Sequence, residues 1–162
     1  MADNRPDCIS MTSKNAKEIK ASPEKVYNAF IDPRALEQWQ APYGMTGRVH
    51  DFDASEGGGY TMSLYYADTA IAGKTTANED RFSVRFVKLQ PYRKIIQAVT
   101  FQSDEAQFHG EMIMEIYMEM MDTLTTRLTM FFKNIPAGIN PADNEKGTEQ
   151  SLEKLARYVE RH

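Results

Sequence analysis

Apolar residues recur along this chain with two periods, and the order in which the periods change outlines a fold. Cys8 to Ala21 reads as a weakly patterned first strand, preceded by a tip, Met1 to Asp7, that is expected to fray. Ser22 then supplies an N-cap and Pro23 the first helical position, where its missing N–H costs nothing. Val26, Ala29 and Phe30 follow at helical spacing. Asp32-Pro33 repeats the device, starting a second short helix whose Leu36 and Trp39 share a face before Pro42 and Gly44 end it.

From Thr46 the period becomes two. Thr46 to Asp53 and Gly59 to Ala67 flank the turn Ser55-Glu56-Gly57-Gly58, and Tyr60, Met62, Leu64 and Tyr66 alternate with Thr61, Ser63 and Tyr65. Asp80 to Leu89 and Lys94 to Gln102 form a second hairpin around Gln90-Pro91-Tyr92-Arg93, with Phe82, Val84 and Phe86 on one side. In Glu111 to Met121, residues Met112, Met114, Ile116, Met118 and Met120 point one way and Glu111, Glu115, Tyr117 and Glu119 the other. Across a turn at Asp122-Thr123, Leu124 to Phe132 is expected to send Leu124, Leu128, Met130 and Phe132 to one face, with Glu119 or Glu115 opposite Arg127.

The period returns to helical after Asn140, an N-cap followed by Pro141 and by Asp143 in the first turn. Thr148, Leu152, Leu155 and Val159, with Ala156 beside them, give one apolar face over about 30 Å of helix at 1.5 Å per residue. A helix with one apolar face must lie on something, and the economical partner is the sheet. The order strand, two short helices, six strands and a long helix therefore predicts an α+β helix grip, a curved antiparallel sheet around the C-terminal helix. A gap between sheet, helix and elbow is the default binding site of such an arrangement.

Composition narrows the partners. At 162 residues the chain forms one domain, residues 8–162, with no repeat or linker dividing it. Hydrophobic residues make up 41% and charged residues 26%, the balance of a water-soluble globular domain. A net charge of −4 with scattered basic residues gives nucleic acid no stripe to bind. No apolar run approaches the ~20 residues of a membrane span, and the start lacks a leader pattern, so a cytoplasmic location is expected. The single cysteine, Cys8, excludes an internal disulfide and a thiolate metal cluster. Ten methionines suit an interior that must fit an irregular cavity or a variable partner.

Several motifs together resemble a known family. Ile19-Lys20-Ala21-Ser22-Pro23-Glu24-Lys25-Val26-Tyr27 with Phe30, Asp32-Pro33 through Leu36 to Trp39, and Gly57-Gly58-Gly59 carry the first half of the likeness. Gly138-Ile139-Asn140-Pro141, Asp143-Asn144, Gly147 and Ser151-Leu152-Glu153-Lys154-Leu155-Ala156 carry the second. The chain resembles the SRPBCC or START-like superfamily, and within it the group named after the activator of the heat-shock protein 90 ATPase. The resemblance implies a START-like, Bet v-type fold with a ligand cavity. It leaves the chemistry open, because members include lipid carriers, aromatase/cyclases, stress-response binding proteins and co-chaperone domains. Many relatives follow the glycine of the last helix with tryptophan; here Gly147 is followed by Thr148, which opens space at the pocket edge or makes it more polar.

Candidate chemistry is sparse. His50, in Arg48-Val49-His50-Asp51-Phe52-Asp53, reads as part of a solvated strand rather than as a base oriented by a carboxylate. His109 and His162 add no metal-ligand spacing. Gly57-Gly58-Gly59 leads into a strand and not a helix, so it is no phosphate loop, and Glu145, Glu149 and Glu153 form a solvated i, i+4 ladder. No catalytic residue, metal or cofactor is assigned. Trp39, Tyr43, Tyr60, Met62, Tyr66, Met112, Met114, Met118 and Leu152 are the expected pocket residues, although the methionine stripe serves equally well as plain core. Three functions fit: a carrier or sensor for a small apolar or amphipathic molecule, a protein-binding module with a chaperone or client as partner, and a cyclase/dehydratase-type enzyme. Exposed edge strands are compatible with either a monomer or a homodimer.

Overall fold

The computed structural model describes residues 11–66 and 79–162. The expected tip, Cys8 and the final residue of the predicted third strand, Ala67, lie outside the described residues. Among the described residues seven strands form one antiparallel sheet: β1 (Ser13–Ile19), β2 (Met45–His50), β3 (Gly59–Tyr66), β4 (Glu79–Gln90), β5 (Lys94–Phe101), β6 (Met112–Asp122) and β7 (Thr125–Lys133). Their order is β1-β7-β6-β5-β4-β3-β2, so the first strand pairs with the last. Helices α1 (Pro23–Phe30) and α2 (Pro33–Trp39) form the elbow between β1 and β2, and α3 (Pro141–Arg161) closes the chain. This is the predicted helix grip.

Each helix begins where its capping residue takes over an unpaired N–H. The Ser22 side chain accepts from Lys25 N at 3.3 Å, Asp32 from Arg34 N at 2.9 Å and Asn140 from Ala142 N at 2.8 Å, each with proline next in line. Within the elbow, the Trp39 ring meets Phe30 edge-on at 4.8 Å, and its indole N–H donates to Ala29 O at 2.9 Å. At the β2–β3 connection Gly57 has φ +88°, and a Cβ on Gly59 would collide with the Val84 carbonyl. These glycines shape a turn in the sheet, as the strand reading requires.

One core gathers the inward phases of the strands, including Ile19, Met62, Phe86, Ile95, Ile116 and Leu128, against Val26, Phe30 and Leu36 of the elbow and Leu152, Leu155 and Val159 of α3. The β6–β7 hairpin departs from strict alternation. Met120 and Leu124, expected to face inward, are 59% and 72% exposed. The ladder shifts register between Met120 and Asp122, and Asp122 pairs with Thr125, so Thr123-Leu124 is the two-residue turn and Leu124 belongs to no strand. Glu119, rather than Glu115, stands opposite Arg127; Glu115 pairs instead with Lys133 at 2.7 Å.

Candidate functional site

The composition of α3 changes along its length, and the change produces a hollow. On its sheet-facing stripe the C-terminal half carries Leu152, Leu155, Ala156 and Val159, which fill the interior. The same stripe nearer the N-terminus carries Asn144, Gly147, Thr148 and Ser151, which are too small or too polar to fill it. A cavity of about 330 Å³ lies between this part of the helix, the end of α2 and the inner face of the sheet. Leu64, Phe82, Val99, Phe101, Met112, Met114, Met130 and Phe132 form its apolar wall. Trp39, Gln40, Pro42, Met45, Gly138 and Ile139 complete the enclosure, with Asn140 and Asp143 at the start of α3.

Polar groups in this wall are few and mostly engaged. The Trp39 indole N–H is bound within the elbow, so its ring meets the cavity as an apolar surface. Ser151 donates its hydroxyl to Gln40 O at 2.7 Å, and Asn144 donates an amide N–H to Ser13 Oγ at 2.9 Å. Asp80 lies in the wall at 1% exposure, where its Oδ2 accepts from the Tyr66 hydroxyl at 2.8 Å. Burial, then the hydrogen bond to Asp80 and its negative charge, push the Tyr66 phenol above the ordinary tyrosine range. The segment after α2 is tied to α3 from outside: Lys154 Nζ donates to Ala41 O at 2.7 Å, and Arg157 Nη2 to Tyr43 OH at 2.6 Å. Desolvation, then Arg157, lower the Lys154 pKa.

Of the nine residues read as pocket from the sequence, Trp39, Met112 and Met114 line this cavity. Tyr66 reaches it only through Asp80. Tyr43 is 47% exposed, beneath the Arg157 guanidinium. Tyr60 is buried in a stack with Phe52 at 5.4 Å, its phenol 3.4 Å from Gln40 Oε1; burial raises its pKa beyond the ordinary tyrosine range. Met62 is fully buried over Gly47, and Leu152, the neighbour of the lining residue Ser151 on α3, lies beside β1 instead. Met118 lies near the far end of β6, in a groove formed with Ser22, Pro23 and the Pro91-Tyr92 turn.

Asp80 was not among those nine, yet its signal is in the sequence. It shares the inward phase of Phe82, Val84 and Phe86, which places an acid among three large apolar residues. Thr148 is likewise buried, at 9% exposure, and lines the cavity. The histidines lie elsewhere: His50 Nε2 is 3.2 Å from Ser63 Oγ on the β2–β3 ladder, His109 Nε2 is 2.8 Å from Ser103 O, and His162 stacks on Tyr158. Among the described residues no group of three His, Cys, Asp or Glu side chains is arranged to hold a metal, and no helix is long and apolar enough to cross a membrane.

An antiparallel sheet gripping a long C-terminal helix, with a hollow beside the first turns of that helix, defines a START-like domain of the SRPBCC superfamily. The chain belongs to the family described as activator of Hsp90 ATPase homolog 1-like protein, which matches residues 20–160. It is similar to the crystal structure of protein CV1439 from Chromobacterium violaceum, with 31% identity, a TM-score of 0.82, and coverage of 93% of this chain and 97% of that one. Two more distant structures share the fold. A protein from Arthrobacter aurescens is 15% identical with a TM-score of 0.78, covering 94% and 87% of the two chains. Protein Ms6760 from Mycobacterium smegmatis is 16% identical with a TM-score of 0.69, covering 92% and 88%. Among curated proteins none matches the chain.

Proposed function

We propose that this domain is a carrier or sensor that encloses one small apolar or amphipathic molecule between α3 and the inner face of the sheet. The observation that supports this reading is the cavity itself: about 330 Å³, at the lower end of the ~300–1,000 Å³ typical of ligand sites. Aromatic and thioether side chains form much of its wall, and Asp80 is the buried acidic group within it. Methionines at Met45, Met112, Met114 and Met130 let the wall adjust to ligands of different shape. Native mass spectrometry combined with a thermal-shift screen of lipids and aromatic compounds tests the reading. A ligand present at 100 times its Kd stabilises by about 2.7 kcal/mol. For a domain of this size that raises Tm by roughly 5–10 °C. Blank results in both measurements would end the carrier reading.

A second reading, a protein-binding module, draws on a different surface. At the opposite end of β4 to β7, Tyr92, Tyr117, Met120, Met121 and Leu124 are exposed around the hairpin tips. Clusters of exposed apolar side chains of this kind mark interaction surfaces. Capture of a chaperone or client from lysate, lost in Leu124→Asp, is the expected result. Recovery of no partner by the unaltered protein would count against this reading.

A further inference from the structure

One polar side chain is out of place on the inner face of the sheet. The inward phase of β5 runs Ile95, Gln97 and Val99, all buried, with Gln97 at 1% exposure. Its cross-strand neighbours on that face are Phe86 of β4 and Met114 of β6, which are buried as well. A buried amide is ordinarily satisfied within the protein, because an acceptor that has given up water and found no partner carries the full cost of its desolvation. Gln97 Oε1 nevertheless accepts no hydrogen bond from any described residue. A leucine or methionine would pack there without that cost, so the fold alone supplies no reason for the amide. The cavity lies beside it: Val99, two residues along the same face, and Met114, directly opposite on β6, both line the hollow. Residues placed in this way on one sheet face stand about 5–7 Å apart, within the span of one small ligand.

We infer that Gln97 is the specificity-determining residue of the cavity, and that its orphaned carbonyl oxygen receives a hydrogen bond from a neutral ligand that enters polar end first. The preferred class is a small alcohol, its hydroxyl against Gln97 and its hydrocarbon part against the apolar wall. Molecules of the same size that offer only acceptors leave Oε1 as it is and lose their own hydration in the enclosure. Met114, an unbranched thioether, changes shape readily and so gives the hydroxyl room to pass between itself and Val99. Binding and stability are opposed at this position, because the free protein carries a cost that the right ligand removes. The inference rests on the ligand-carrier reading and names the ligand class for that same cavity.

Two isomers separate the claims, 1-octanol and 1-methoxyheptane, of which only the alcohol can donate. Each is titrated while the fluorescence of Trp39, the single tryptophan and a lining residue, is followed. The expected result is saturable binding of 1-octanol, with the ether at least tenfold weaker. In Gln97→Met, which keeps an unbranched side chain of similar length, the preference should fall to twofold or less. The Tm of that variant without ligand should rise by about 2 °C or more, since the orphaned acceptor is gone. NMR of the unaltered protein with labelled glutamine reads the contact without a substitution: the Gln97 side-chain amide should shift on saturation with 1-octanol. Equal binding of the isomers, a preference that survives in Gln97→Met, a lowered Tm, or a silent Gln97 amide at saturation would each overturn the inference while the carrier reading stands. If neither isomer binds, the carrier reading fails and takes the inference with it.

Discussion

Thr148→Trp puts the central cavity under direct strain. Thr148 faces the hollow from α3 between Gly147 and Ser151. A tryptophan side chain buries roughly 150–250 Å². At about 25 cal/mol per Å², enclosure is worth about 4–6 kcal/mol over an exposed ring, and a realistic unfolded state removes up to about 40% of that. Ordering the ring costs about 1 kcal/mol and an imperfect fit about 1–3 kcal/mol. The midpoints of these terms net to about +1 kcal/mol, with extremes of about −2 and +4 kcal/mol, and a cavity of about 330 Å³ has room for the ring. At about 2–4 °C per kcal/mol for a domain of this size, that midpoint raises Tm by about 2–4 °C. Affinity for 1-octanol should fall at least 100-fold, while Thr148→Val, which leaves the space open, keeps it. Differential scanning fluorimetry and the octanol titration read both quantities. A drop in Tm of 6 °C or more, or unaltered binding in a folded variant, would refute the claim that this position borders an empty, ligand-accessible space.

Other consequences follow from the packing. Leu155 is fully buried where α3 fills the interior, so Leu155→Ala should lose about 2–5 kcal/mol in urea denaturation; a loss under 1 kcal/mol would mean that the helix does not seat there. Gly59→Ala forces a Cβ into the Val84 carbonyl and should cost about 2 kcal/mol or more, with a wild-type melting curve as the contrary outcome. Hydrogen bonds from Lys133 and then Tyr117 hold the Glu115 carboxyl below its usual range. A depressed carboxylate contributes stability that is present above its unfolded pKa and lost as pH falls through the folded one. The stability difference between the protein and Glu115→Gln should therefore be flat above about pH 5.5 and shrink below about pH 4.5, remaining under about 1 kcal/mol because the pair is partly in water. A difference that grows on acidification would reverse the assignment.

The architecture was legible because its signals are local. Ser22-Pro23, Asp32-Pro33 and Asn140-Pro141 mark helix starts by a side-chain acceptor beside a missing N–H, and all three caps form as read. Alternation likewise placed Met112, Met114, Ile116 and Met118 inside. What alternation could not give is the difference between facing a cavity and facing core. Met114 and Met118 share a face of β6, but Met114 lines the hollow near the small residues of α3, whereas Met118 lies toward α1. That distinction depends on which residue lies opposite, across an interface between segments distant in sequence. Tyr43 left the pocket set because its phenol finds Arg157 on the outer side of α3, a pairing no local pattern announces. The register shift that follows Met120 is likewise set by pairing with β7, not by its own strand.

Methyl-labelled methionine NMR during a 1-octanol titration offers the most direct measurement of where this domain holds a ligand. Met45, Met112, Met114 and Met130 line the cavity, while Met118, Met120 and Met121 lie at the other end of the sheet. Saturable shifts confined to the first four methyls are the predicted result. Shifts at Met120 and Met121 with the cavity methyls silent would contradict it and place the binding surface on the outer hairpin.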